Sequence, residues 1–235
     1  MNELALFAGC GGGILASNLL GINTVCAIER DEYCQHVLVQ RQNDRIISPF
    51  PIWDDVCTFD GRLWKGSIDV VSGGFPCQAF STAARGRNIA EKNLWTEMLR
   101  ICGEVCPEFV FAENVAKKAI LQAKLDLEAE GYNVKYMQLS AKDVGADHIR
   151  ERYWLLAHSD NNGKLLGTFN AETFRVQELD NRVWETFSEE LRVPDGVAYR
   201  MDRLKALGNG QVPIVAATAF ITLLKEHVLD KSSST

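Results

Sequence analysis

The stretch Leu4-Ala5-Leu6-Phe7-Ala8-Gly9-Cys10-Gly11-Gly12-Gly13 decides the fold, together with the segment up to Glu29. A short apolar run ends in a cluster of glycines. Ile14 to Leu20 then reads as a helix, stopped at Gly21, and Thr24 to Ile28 reads as a second strand ending in Glu29. Strand, tight turn, helix, strand is the opening of a βαβ unit. Glycines at such a turn let a ligand approach the backbone and leave helix N–H groups free for it. An acid about twenty residues further on suits the hydroxyls of a ribose. The pattern points to a nucleoside-containing cofactor, although a plain tight turn would also explain the glycines alone. They are packed more closely than in the dinucleotide fingerprint, which argues against NAD.

The same alternation continues outward. Asp31 can cap a helix over Glu32 to Gln42. Ile68 to Ser72, Phe109 to Ala112, Asn133 to Leu139 and Tyr153 to Ala157 read as strands. Asn93 to Cys106, Lys117 to Glu130 and an apolar stretch from Pro213 to Val228 read as helices. This predicts an α/β fold: a doubly wound, mostly parallel Rossmann-like sheet with helices on both faces. The pattern breaks at 160–195, which is polar with scattered aromatics. The expected division is therefore 1–159, 160–199 and a returning segment 200–235.

Composition narrows the function classes. The chain has 235 residues, 46% hydrophobic and 24% charged, enough for a core without disulfide staples. Its net charge of −6 makes nucleic-acid binding by bulk charge an unsuitable reading; any such role needs a local basic surface. Seven cysteines without paired metal-ligand spacing read as free thiols in a reducing, cytoplasmic setting. The start, Met1-Asn2-Glu3, does not read as a signal peptide, and no apolar run has membrane-spanning length.

Four further motifs carry chemistry. Gly74-Phe75-Pro76-Cys77-Gln78 follows the third strand, where open α/β sheets place their ligand crevice. A cysteine behind a stiff proline, among glycines, reads as a nucleophile more readily than as a buried packing residue. Glu113-Asn114-Val115 ends the next strand at the same sheet edge; a helix cap is its plainer reading. Arg150-Glu151-Arg152 puts two guanidinium groups on one face of an extended segment, fit for an anionic or carbonyl-rich ligand or for surface salt bridges. Leu207-Gly208-Asn209 leads into the helix that Pro213 can start.

Taken together, Phe7-Ala8-Gly9-Cys10-Gly11-Gly12, the Pro76-Cys77-Gln78 loop, Glu113-Asn114-Val115, Arg150-Glu151-Arg152 and Leu207-Gly208-Asn209 resemble the motifs of the DNA (cytosine-5-)-methyltransferase family, in the family's order. The resemblance implies methyl transfer from S-adenosyl-L-methionine to carbon 5 of cytosine in double-stranded DNA. It implies a Cys77 nucleophile, with Glu113 at ring nitrogen 3, Arg152 at the carbonyl and Arg150 supporting the pocket. By the same resemblance Phe7, Gly9, Gly11, Gly12, Glu29, Asp55, Val56, Pro76, Leu94 and Asn209 would hold the cofactor. The loop Ser81 to Asn93, with Arg85 and Arg87, would close over a flipped base. No metal is implied.

Three departures stand out. His148 replaces a usual glutamine, and Gln211 sits in a stretch that is often apolar. Only about fifty-five residues separate Arg152 from Gly208, so the recognition region is small. That leaves short specificity, or a recognition surface completed by a homo-oligomer or a partner. RNA or a free cytidine nucleotide as substrate, and a non-catalytic binding module, are the competing readings.

Overall fold

The structure is a computed structural model describing residues 1–76, 94–159, 205 and 208–232. Its centre is a seven-stranded sheet. The strands are β1 (Asn2–Leu6), β2 (Asn23–Ile28), β3 (Ile52–Trp53), β4 (Val70–Gly74), β5 (Phe109–Asn114), β6 (Tyr132–Ser140) and β7 (Glu151–Ser159). Their spatial order is β3-β2-β1-β4-β5-β7-β6. The first five are mutually parallel, and β7 runs antiparallel between β5 and β6. This is the doubly wound sheet expected from the sequence, with two antiparallel pairings at one side.

The helices are α1 (Gly12–Leu19), α2 (Glu32–Asn43), α3 (Trp95–Val105), α4 (Lys117–Ala129) and α5 (Pro213–Ser232). Alternation along the strands sends side chains to two cores. Leu4, Leu6, Val71, Val110 and Ala112 face Met98 and Ile101 of α3 and Ile120 of α4. Val70, Phe109, Phe111 and Trp154 face Phe220 and Leu223 of α5. Ala5 and Ala27 pack with Ile14 of α1 and Leu38 of α2. Phe111 stacks on Trp154 at 5.5 Å and meets Phe220 edge-on at 5.3 Å.

Two strands extend further than the apolar runs suggest. β4 continues through Gly73 and Gly74, which pair with Ala112 and Glu113 of β5. A side chain at 73 would lie 2.8 Å from the Leu6 carbonyl, so the glycines are paired strand residues. β5 likewise carries Glu113 and Asn114 inside the sheet. The two-residue strand β3 is too short to leave a periodic signal.

One buried carboxylate sits on β1. Glu3 is 1% exposed and accepts hydrogen bonds from Ser17 Oγ at 2.6 Å, Thr24 Oγ1 at 2.5 Å and Ser72 Oγ at 2.6 Å. These hydroxyls come from α1, β2 and β4. Burial pushes the Glu3 carboxyl above its ordinary value of 4.5, against the three hydroxyl contacts. The neutral form is therefore favoured in the fold. Its stability contribution is full below the ordinary value and is lost as pH rises through the raised one. Glu3→Gln should thus gain stability relative to the native chain as pH rises above 4.5, measured by urea unfolding across pH. Glu3→Ala strands three hydroxyls and should cost about 3 kcal/mol at neutral pH.

Candidate active site

A cavity of about 860 Å³ opens at the carboxyl ends of the strands, beside the point between β1 and β4 where the strand order reverses. Its walls include Phe7 and Gly9 after β1, Glu29 after β2, Asp55 and Val56, Pro76 after β4, and Leu94 before α3. Glu113 at the end of β5, Arg152 in β7 and Asn209 complete it. Ten residues read from the sequence as functional thus share one cleft.

The cofactor-side loop is held by its acid. Glu29 Oε2 accepts the Gly9 N–H at 2.6 Å, and Oε1 accepts the Asp31 N–H at 2.7 Å. Each oxygen keeps acceptor capacity for a ligand hydroxyl. Phe7 has φ of 51°, a left-handed backbone that costs a bulky residue roughly 1–3 kcal/mol. That conformation puts its ring at the cleft wall, with Cδ2 3.3 Å from where a Gly73 side chain would begin. Asp55 Oδ1 accepts the Cys57 N–H at 2.9 Å. Asp31 caps α2 through the Cys34 N–H at 3.3 Å and pairs with Lys205 at 2.5 Å. The Lys205 contact holds its carboxyl below the usual range.

The opposite wall is organised around Glu113, which is 7% exposed. Arg152 Nε donates to its Oε1 at 2.9 Å. The Gln211 side-chain amide also donates to the carboxyl. Burial pushes Glu113 above the ordinary value; the Arg152 and Arg150 charges and the Gln211 contact pull it back without cancelling the burial. The neighbouring Asn114 is buried and does two jobs. Its Nδ2 donates to the Phe75 carbonyl at 2.9 Å, and its Oδ1 accepts the Ala116 N–H at 2.9 Å. It therefore ties the loop after β4 to the residue before α4; the N-cap is Ala116 without a side-chain cap, so neither Glu113 nor Asn114 is the helix cap that the sequence suggested.

Some sequence-selected residues sit elsewhere. Arg150 points at the C-terminal segment, where its Nη2 donates to the carbonyls of Gly208 at 2.8 Å and Gly210 at 2.6 Å. Gly11 caps α1 with φ of 83° and faces Leu38; Gly12 faces the Gln211 carbonyl. Neither of these glycines lines the cleft. Cys77, the loop from Ser81 to Asn93 and the region 160–199 lie outside the described residues. Sequence reasoning passed over the contact between Gln211 and Glu113; the only signal was a polar residue in a stretch expected to be apolar.

The family model for C-5 cytosine-specific DNA methylase matches residues 1–211. The chain is 32% identical over 163 residues to the type II methyltransferase M.CviJI of Paramecium bursaria Chlorella virus IL3A, covering 66% of this chain and 42% of that protein. It is 28% identical over 200 residues to the type II methyltransferase M.HgiDI of Herpetosiphon aurantiacus, covering 81% and 62% respectively. The chain thus spans less than two thirds of either relative. The crystal structure of the S. pombe Dnmt2 methyltransferase matches with a TM-score of 0.53 at 21% identity, covering 68% of this chain and 49% of that one, a likeness of fold. With its model matched from residue 1 to residue 211, the family is established: this chain belongs to the C-5 cytosine-specific DNA methylases.

Proposed function

We propose that this chain transfers a methyl group from S-adenosyl-L-methionine to carbon 5 of cytosine in double-stranded DNA. The observation that carries the reading is the shared cleft. A carboxylate suited to ribose, Glu29, lines one wall, and a buried, arginine-clamped carboxyl, Glu113, lines the other. The residues fit the cofactor. An aromatic ring at Phe7, the acceptors Glu29 and Asp55, and the apolar Val56, Pro76 and Leu94 suit a nucleoside. Asn209 lies on the same wall, and Gly9 adds open backbone where a side chain would meet nothing. Gly11 and Gly12 act from behind, by letting the loop pack onto α2 and the C-terminal segment. When bound, S-adenosyl-L-methionine supplies an electrophilic methyl group.

The chain's own residues do the rest. Cys77, as thiolate, adds to carbon 6 of cytosine. Glu113, kept protonatable by burial, donates to ring nitrogen 3 and stabilises the electron-rich adduct. Arg152 holds the Glu113 carboxyl and meets the base carbonyl at position 2. Arg150 supports the same wall by fixing the Gly208–Gly210 backbone. Loss of the carbon 5 proton and departure of Cys77 restore the ring. Carbon 6 of a base stacked in a duplex is out of reach of a nucleophile, so the cytosine is flipped out. In this reading the core is residues 1–159 with 200–235, and 160–199 is a small recognition region that either reads a short sequence or is completed by a second subunit or partner. The protein acts in the cytoplasm.

An acidic protein must grip DNA locally. Lys117 and Lys118 are exposed in the first turn of α4, just beyond Val115 at the cleft rim. Cations there oppose the helix dipole, so helix stability does not explain them, whereas a phosphate would accept both.

Three outcomes are expected. Incubation with methyl-labelled cofactor should label duplex DNA and leave RNA and cytidine nucleotides unlabelled; labelling of nucleotides alone would overturn the substrate. Cys77→Ala should abolish transfer, and Glu113→Gln should lower kcat about 10²–10³-fold, both measured by the same assay. The double variant Lys117→Gln with Lys118→Gln should weaken duplex binding and reduce its log–log salt slope by about 1–2, read by titration at several salt concentrations.

A further inference from the structure

Gln211 breaks the pattern of its own segment, and three glycines stand around it. Its backbone carbonyl lies 2.1 Å from where a side chain at Gly12 would begin. Its Oε1 lies 2.6 Å from the same position at Gly13, and its Nε2 lies 3.1 Å from that at Gly74. Glu113 Oε2 lies 2.7 Å from the Gly74 position. Any larger residue at these sites would move Gln211 or Glu113, because three of the four contacts are to the Gln211 backbone or its packed amide. The start of α1 and the end of β4 are thus both bare where this one side chain passes. Arg150 secures the backbone just before it through the carbonyls of Gly208 and Gly210.

We propose that Gln211 is a positioning residue for Glu113, holding its carboxyl toward the flipped base with an amide delivered by the C-terminal segment. The proposal deepens the methyl-transfer reading above and rests on it. Arg152 Nε takes one carboxyl oxygen, Oε1. Gln211 supplies the second donor, so the carboxyl is fixed from two elements, β7 and the segment before α5. A side chain with two anchors loses little further freedom when the base arrives. An apolar residue at 211 would leave the rotation of the carboxyl to Arg152 alone.

The contact also has a sign. Among the described residues, the charged groups facing Glu113 are Arg152 and Arg150; β4 contributes Gly74 and the segment before α5 contributes Gln211. A donor amide favours the carboxylate, so its removal should raise the pH at which Glu113 loses its proton. A second carboxylate at 211 should raise it further by like-charge repulsion.

The test uses the full chain with Gln211→Met, which keeps the length and removes the donor, and Gln211→Glu, which keeps the length and adds charge. Both are measured beside Glu113→Gln. Carboxyl carbon chemical shifts of labelled glutamate give the Glu113 titration without turnover. The expected result is an upward move of about one pH unit in Gln211→Met and more in Gln211→Glu. The high-pH limb of kcat should move with it. At neutral pH kcat should fall about tenfold in Gln211→Met, while affinity for S-adenosylhomocysteine stays within about twofold. An unmoved titration, or a loss of activity equal at every pH, overturns the proposal. Poor folding of one variant leaves the other and the titration to decide. Full activity in Glu113→Gln would overturn the methyl-transfer role of Glu113 itself, and with it the role of Gln211; no result in the Gln211 variants mimics that outcome.

Discussion

Strand β4 ends in two residues without side chains, and the cleft depends on that. Gly73 lets the strand lie against the Leu6 carbonyl, close to the Phe7 ring. Gly74 leaves the space that the Glu113 carboxyl and the Gln211 amide occupy. The loop after β1, the end of β5 and the C-terminal segment can therefore converge on one point of the sheet edge. A single Cβ at 74 would lie within 2.7 Å of a Glu113 oxygen. The constraint is steric, and the chemistry follows from it.

The two buried carboxylates on this face of the sheet show how environment divides roles. Glu3 is held by three hydroxyl donors and lies away from the large cleft. Its work is to join α1, β2 and β4 to β1. Glu113 has guanidinium partners and stands in the cleft wall. Burial pushes both above their ordinary value, but of the two Glu113 alone stands in the wall of the cleft. A raised value alone would not have distinguished them; position at the carboxyl edge does.

Much of the fold was legible because its signals are local. The apolar runs at Leu4, Thr24, Phe109 and Tyr153 mark strands, and Asp31 marks a helix start that its contact with the Cys34 N–H realises. The limits appeared where contacts are long-range. Gly73 and Gly74 read as residues beyond the third strand, since nothing near them in sequence announces the Leu6 carbonyl or the Glu113 carboxyl. β3 is invisible at two residues. Motif reading brought Phe7, Glu29, Asp55, Glu113 and Arg152 to one cleft, because strand ends of a doubly wound sheet share an edge. It could not tell that Arg150 faces the Gly208–Gly210 backbone, because alternation fixes a face and not a partner.

That last difference explains a pairing of motifs far apart in the chain. Arg150 and Gly208 are separated by 58 positions, and the region between them lies mostly outside the described residues. An arginine donating to two carbonyls holds a loop whose length on the other side is free to vary. The wall that carries Glu113 can thereby keep its shape whatever the length of chain between β7 and Gly208. Arg152, two residues on and on the same face, remains available to Glu113 because Arg150 carries the structural contact. Two arginines that look equivalent in the sequence thus divide their work, one toward the backbone and one toward the carboxyl.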